Sequence, residues 1–227
     1  MKLTRGSALG VLGSLAVLIV LAAYLNFALG WVSLSQRLTL ALGFAIGPVA
    51  IVGVLGISDR LAKVFRAGPV RTGAVFLIIG FALLTLMLTM QQAIFAEYRQ
   101  LRGGAPVSGA SETLEHAFAL ANQVQLGADV AFDIFYSLGM VVTSIALLGG
   151  TRLPRLVGAY GLLAGGGLLV LNIGTFPVPP SAAGAVDLGP ATIVWWLGVI
   201  YLARRVGRGD PATRGASGTL VRNNRAH

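Results

Sequence analysis

Cysteine is missing altogether from the 227-residue chain. That absence excludes disulfides, thiolate metal sites and a cysteine nucleophile, while leaving the redox compartment open. Histidine is almost missing, with His116 and His227 the only two, too few for a histidine-rich zinc or haem site. Lysine occurs at Lys2 and Lys63 alone, so none falls inside an apolar run where its desolvated amine would form a Schiff base. The G-x-S-x-G elbow, the H-E-x-x-H helix and the phosphate loop do not occur. A carboxylate-only metal site is the one metal chemistry left. The sequence names no metal, no cofactor and no catalytic residue, and an enzyme is the least supported class.

Charge is scarce too. Charged residues make up 11% of the chain and hydrophobic ones 56%, against roughly 25% charged in an ordinary soluble domain. A water-soluble fold of this size has no interior large enough for that much apolar surface. The apolar residues fall in long runs, and about 20 in succession are enough for a helix to cross a hydrocarbon core. Such runs are expected as spans at 8–29, 38–57, 72–96, 127–148, 156–175 and 186–203. The expected fold is therefore all-α, an integral membrane bundle of six transmembrane helices over residues 1–203, with a disordered basic tail at 204–227.

The first run follows Lys2 and Arg5, as in a secretory signal. It is longer than the about 7 to 15 residues of a signal core and lacks a clear cleavage site, so it reads as an uncleaved span. Connections are short except at 97–126. There 102–109 reads as a loop, and Ser111 as an N-cap ahead of Glu112 and Glu115.

The formal net charge of +9 invites a nucleic-acid reading, but the placement of the basic residues answers it. With the N-terminus in the cytoplasm, 14 of the 17 Lys and Arg residues lie on that side, and only Arg37, Arg99 and Arg102 lie outside. That bias is the positive-inside pattern, and it places both termini in the cytoplasm. The partners expected are the bilayer itself, including anionic headgroups near the tail, and no nucleic acid.

Asp129 and Asp133 are the most informative residues, two carboxylates one helical turn apart within the fourth apolar run. An acid inside a spanning helix costs roughly 2.5–3.5 kcal/mol on insertion scales, so such groups normally face the bundle interior or a wet cavity. Glu115, Asn122, Tyr136 and Thr143 fall on the same seven-residue repeat as Asp129, with Gln125, Ser137 and Ser144 alongside. One polar stripe of this kind makes the fourth span the element around which the others pack. On the third run, Thr85, Thr89 and Gln92 lead to the outer end, with Gln91 adjoining, and Asn172 closes the fifth run.

These residues suggest an outward-facing polar pocket lined by Asp129, Asp133, Gln92, Tyr136, Asn172 and Gln125, with Arg37 or Arg99 as counter-charge. The competing reading is purely structural, with Asp129 hydrogen-bonding a neighbouring helix and Asp133 fixed by an arginine. The segment 175–190 is the other distinctive feature. Pro177, Pro179 and Pro180 stiffen it, Asp187 is placed to cap the sixth helix, and Pro190 is tolerable in that helix's first turn. It serves either as a lid on the pocket or as a rigid connection. Trp195 and Trp196 read as packing or interface residues.

The segments 125–139 (QLGADVAFDIFYSLG) and 175–190, with its Thr-Phe-Pro-Val-Pro-Pro and Asp-Leu-Gly-Pro ends, resemble bacterial multi-pass membrane proteins known only as a domain of unknown function. The resemblance covers the C-terminal half. It implies a helical bundle in a bacterial cytoplasmic membrane and transfers no catalytic residue. The functions compatible with the sequence are binding or transport of a cation, proton or small polar solute, a structural or signalling subunit docking a partner membrane protein, and an intramembrane enzyme.

Overall fold

A computed structural model describes residues 13–19, 35–104 and 108–207. Among these residues every regular element is a helix. After α1 at 13–19 come α2 (Gln36–Leu61), α3 (Ala67–Gly104), α4 (Ser108–Leu148), α5 (Arg152–Thr175) and α6 (Gly189–Gly207). Four of them, α2 to α5, are long and apolar enough to cross a membrane. The molecule is thus a helical bundle with four candidate membrane-spanning helices. The expected first span at 8–29 is described only over α1, and the expected tail only where 204–207 complete α6.

Local chemistry sets the helix ends. Ser35 caps α2 by accepting a hydrogen bond from the Leu38 N–H at 3.4 Å. The pair Gly149-Gly150 separates α4 from α5. Pro69 and Pro154 sit in the first turns of α3 and α5, where a missing N–H has no intrahelical partner to lose. No proline interrupts α4, which runs for 41 residues. Ser111 lies inside this helix, because α4 begins at Ser108 and not at the cap the sequence suggested.

At 38 and 41 residues, α3 and α4 extend about 57 and 61 Å at the helical rise per residue, nearly twice a hydrocarbon core of roughly 30 Å. Their excess forms a hairpin of two helices at one end of the bundle. Tyr98 donates to the Glu115 carboxylate at 2.5 Å, Arg102 donates to the Tyr98 hydroxyl at 3.3 Å, and the Tyr98 and Phe118 rings lie 4.3 Å apart, tilted by 35°. The segment expected as a loop at 102–109 and a helix start at Ser111 is therefore mostly a continuation of the two spans.

Successive helices pack antiparallel, and glycine sets how closely. Gly73 on α3 abuts Gly139 and Thr143 on α4, while Gly80, two turns along the same face, abuts the Tyr136 backbone. Gly158, Gly161 and Gly165 bring α5 against α4, and Gly13 meets Gly53 and Gly56 where α1 crosses α2. The helix α4 contacts α3 and α5 and is bonded to α6 through Trp195, which donates to the Ser144 hydroxyl at 3.0 Å, and Trp196, which donates to the Tyr136 hydroxyl at 2.7 Å. It is the central element, as its polar stripe implied.

Because the helices alternate in direction, the described basic residues separate. Arg60, Lys63, Arg66, Arg71, Arg152, Arg155, Arg204 and Arg205 share one end of the bundle, and Arg37, Arg99 and Arg102 the other. The α3–α4 hairpin and the α5–α6 connection belong to the second end.

Candidate functional site

The polar stripe of α4 faces into the bundle. Gln125, Tyr136, Ser137, Thr143 and Ser144 are buried, Asp129 and Asp133 are half-buried, and only Glu115, out on the hairpin, is exposed. Desolvating that many polar groups is tolerable only where other polar groups or a cavity receive them. Beside the aspartates lies a cavity of about 610 Å3 bounded by α2, α3, α4, α5, α6 and the α5–α6 connection.

Most of the residues picked out in the sequence meet there. Asp129, Asp133 and Tyr136 supply the α4 wall, Gln92 and Arg99 the α3 wall, and Pro179, Pro180 and Asp187 the wall from the α5–α6 connection. Four residues do not reach it. Gln125 is buried one turn beyond Asp129 but off the wall, Arg37 and Pro177 are exposed elsewhere, and Asn172 lies behind the wall. Gln125 lies alongside the seven-residue repeat, one turn from Asp129, and helical periodicity fixes a face only to within a stripe.

Asn172 nevertheless contributes from behind. It is 0% exposed; its amide nitrogen donates to the Leu168 carbonyl at 3.0 Å, and its side chain lies beside the Asp133 carboxyl. Its Oδ1 has no hydrogen-bond partner. Neither aspartate is paired with a basic group among the described residues; Lys63 and Asp59, which do form an ion pair at 2.7 Å, are exposed and lie at the other end of the bundle. Arg99 faces the cavity, but its Nε donates to its own helix at the Phe95 carbonyl, 3.1 Å away. The arginine clamp that a purely structural role for Asp133 would use is not formed.

The α5–α6 connection is folded onto itself. Thr175 donates to the Leu171 and Val178 carbonyls, both at 3.0 Å, and the Ala185 N–H donates to the Pro180 carbonyl at 2.8 Å. Gly184 takes a φ of 75° at the turn, a conformation in which a β-carbon is strained. Asp187 accepts from the Gly189 N–H at 2.7 Å and so caps α6, as the sequence suggested, while also facing the cavity. Pro179 and Pro180 are buried.

Of the aromatic component of the wall, the sequence pointed only to Tyr136. Phe81, Phe132, Tyr136 and Trp196 all border the cavity and touch one another, with Phe81 5.8 Å from Tyr136 edge-on, Phe132 5.4 Å from Tyr136 and Phe81 6.3 Å from Trp196. A signal for them exists in helical spacing. Phe81 lies three turns before Gln92 on one face of α3, Phe132 adjoins Asp133, and Trp196 follows Thr192 by one turn. Both tryptophans are packed, at 1% and 3% exposure, as expected, but Trp196 has a second role at the wall.

No known family model matches the chain, and no curated protein or solved structure is significantly similar to it. The resemblance carried by 125–139 and 175–190 therefore adds nothing to the site beyond its own residues.

Proposed function

We propose that this protein binds a cation, proton or small polar solute, or carries it across a bacterial cytoplasmic membrane, through the cavity between α3, α4 and the α5–α6 connection. The observation that carries the reading is the pair Asp129 and Asp133. Both are half-buried on the wall of a cavity of about 610 Å3, and neither is paired with a basic group among the described residues. Holding two acids in an apolar helix without a partner is costly, and solute binding at that wall offsets the cost.

In this reading all six helices span the bilayer and both termini lie in the cytoplasm. The separation of basic residues toward the end opposite the cavity supports that orientation, and it makes the cavity outward-facing. The α5–α6 connection is then its lid, with Pro179, Pro180 and Asp187 on the inner surface. A second reading, a subunit that docks a partner membrane protein, draws on the α3–α4 hairpin, where Leu101, Leu120 and Val124 are exposed.

The test is ligand-induced thermal stabilisation of the purified full-length protein, scanned with sodium, potassium, small ammonium ions and neutral amino acids, alongside Asp129→Asn and Asp133→Asn. At least one solute should raise the Tm of the parent protein, and each substitution should abolish that rise while leaving the unliganded Tm nearly unchanged. If both substitutions instead lower the unliganded Tm and no solute shifts the parent, the aspartates are packing groups and the proposal fails.

A further inference from the structure

The cavity combines two kinds of wall whose chemistry narrows the solute. Three carboxyl groups, those of Asp129, Asp133 and Asp187, face it against the single guanidinium of Arg99. They interact electrostatically with one another, yet no three acidic, histidine or cysteine side chains among the described residues converge closely enough to hold a metal ion. A bare inorganic cation needs oxygens in a tight shell, about 2.3–2.6 Å away for calcium. Carboxyls spread around a cavity of about 610 Å3 do not by themselves supply that shell.

The volume also falls within the roughly 300–1,000 Å3 of sites for organic ligands. Beside the carboxyls, Phe132, Tyr136, Phe81 and Trp196 form a contiguous aromatic surface. Ring faces carry negative quadrupole density and attract cations with weakly hydrated, apolar substituents. Phe132 and Tyr136 flank Asp133 in the same helix, so carboxyl and rings can address one bound group together. Trp196 is held by its hydrogen bond to Tyr136, and Asn172 lies beside Asp133. The wall is thus pre-positioned, with a fully buried amide behind it that retains an unpartnered oxygen.

We infer that the solute is an organic cation, an ammonium or amidinium group bearing apolar substituents, held between the Asp133 and Asp129 carboxyls and the aromatic surface of Phe132, Tyr136 and Trp196. This rests on the reading of the cavity as a solute site, and it sets the solute apart from inorganic ions, protons and neutral polar molecules.

The experiment measures saturable binding of tetraethylammonium to the detergent-purified full chain, against sodium, potassium, a neutral amino acid, and 3-ethyl-3-pentanol as a neutral molecule of similar shape. Tetraethylammonium should bind and the other four should not. Asp133→Asn should abolish binding, and Trp196→Leu should weaken it about tenfold, the scale of a desolvated cation–ring contact. Should Trp196→Leu fail to fold, Phe132→Leu gives the same comparison without removing a hydrogen bond. Binding of tetraethylammonium that survives Asp133→Asn and the ring substitution overturns the inference. Asp133-dependent binding of sodium, potassium or the amino acid, with none of tetraethylammonium, overturns it while leaving the solute site standing. If none of the five binds, the inference and the solute site fall together.

Discussion

Asn172, a fully buried amide, lies beside the half-buried Asp133 carboxyl on the cavity wall, where a small displacement changes whether the acid faces the cavity or a helix. The same sensitivity holds about three turns further along the α4–α5 contact. A β-carbon added at Gly161 would collide with the Trp195 indole and the Ser144 hydroxyl, whereas one added at Gly166 would meet nothing within 4 Å. Gly161→Ala should therefore destabilise the bundle by about 1–3 kcal/mol, the usual cost of overpacking. Gly166→Ala should be neutral or slightly stabilising, because alanine favours the helix by about 1 kcal/mol. Thermal unfolding of the two variants checks this, and equal melting temperatures would refute the packing described for α5 on α4.

On the scale of elements, α4 does two jobs along one length. Its inner half buries the stripe from Asp129 to Ser144, and its outer part pairs with α3 through Tyr98, Glu115 and Phe118. The outer pairing is exposed and has few partners, so it belongs to the low-stability end of the molecule. Tyr98→Phe should speed backbone hydrogen exchange over about 95–118 and leave exchange in the α4 segment from Tyr136 to Leu148 unchanged. Uniform acceleration along α4 would mean that the hairpin and the bundle open as one unit, contrary to this description.

Charge acts on the scale of the whole molecule. Eight described basic residues sit at the end away from the cavity and three at the cavity end, an asymmetry that sets orientation during insertion. Since the chain has no cysteine, single cysteines report their side without background. Ser181→Cys, on the α5–α6 connection, should react with an impermeant maleimide in intact cells. Ser7→Cys and Ser217→Cys should react only after the membrane is opened. Labelling of Ser7→Cys and Ser181→Cys from the same side would reject the proposed orientation.

Helix content, approximate helix bounds and the inward face of α4 could be read from the chain alone, since run length, periodicity and the cost of burying Asp129 and Asp133 are properties of contiguous residues. So could the capping of α6 by Asp187, which involves neighbours two residues apart. The hairpin was less legible because polarity at 97–126 signals departure from lipid and not the end of a helix, so α3 and α4 continue past the hydrophobic boundary. The cavity, its aromatic wall, and the placing of Asn172 behind it while Gln125 and Arg37 stay clear were decided only by tertiary packing. They depend on how glycine contacts such as Gly73–Gly139 set the rotation and spacing of whole helices, and residues far apart in sequence carry no local sign of the volume left between them.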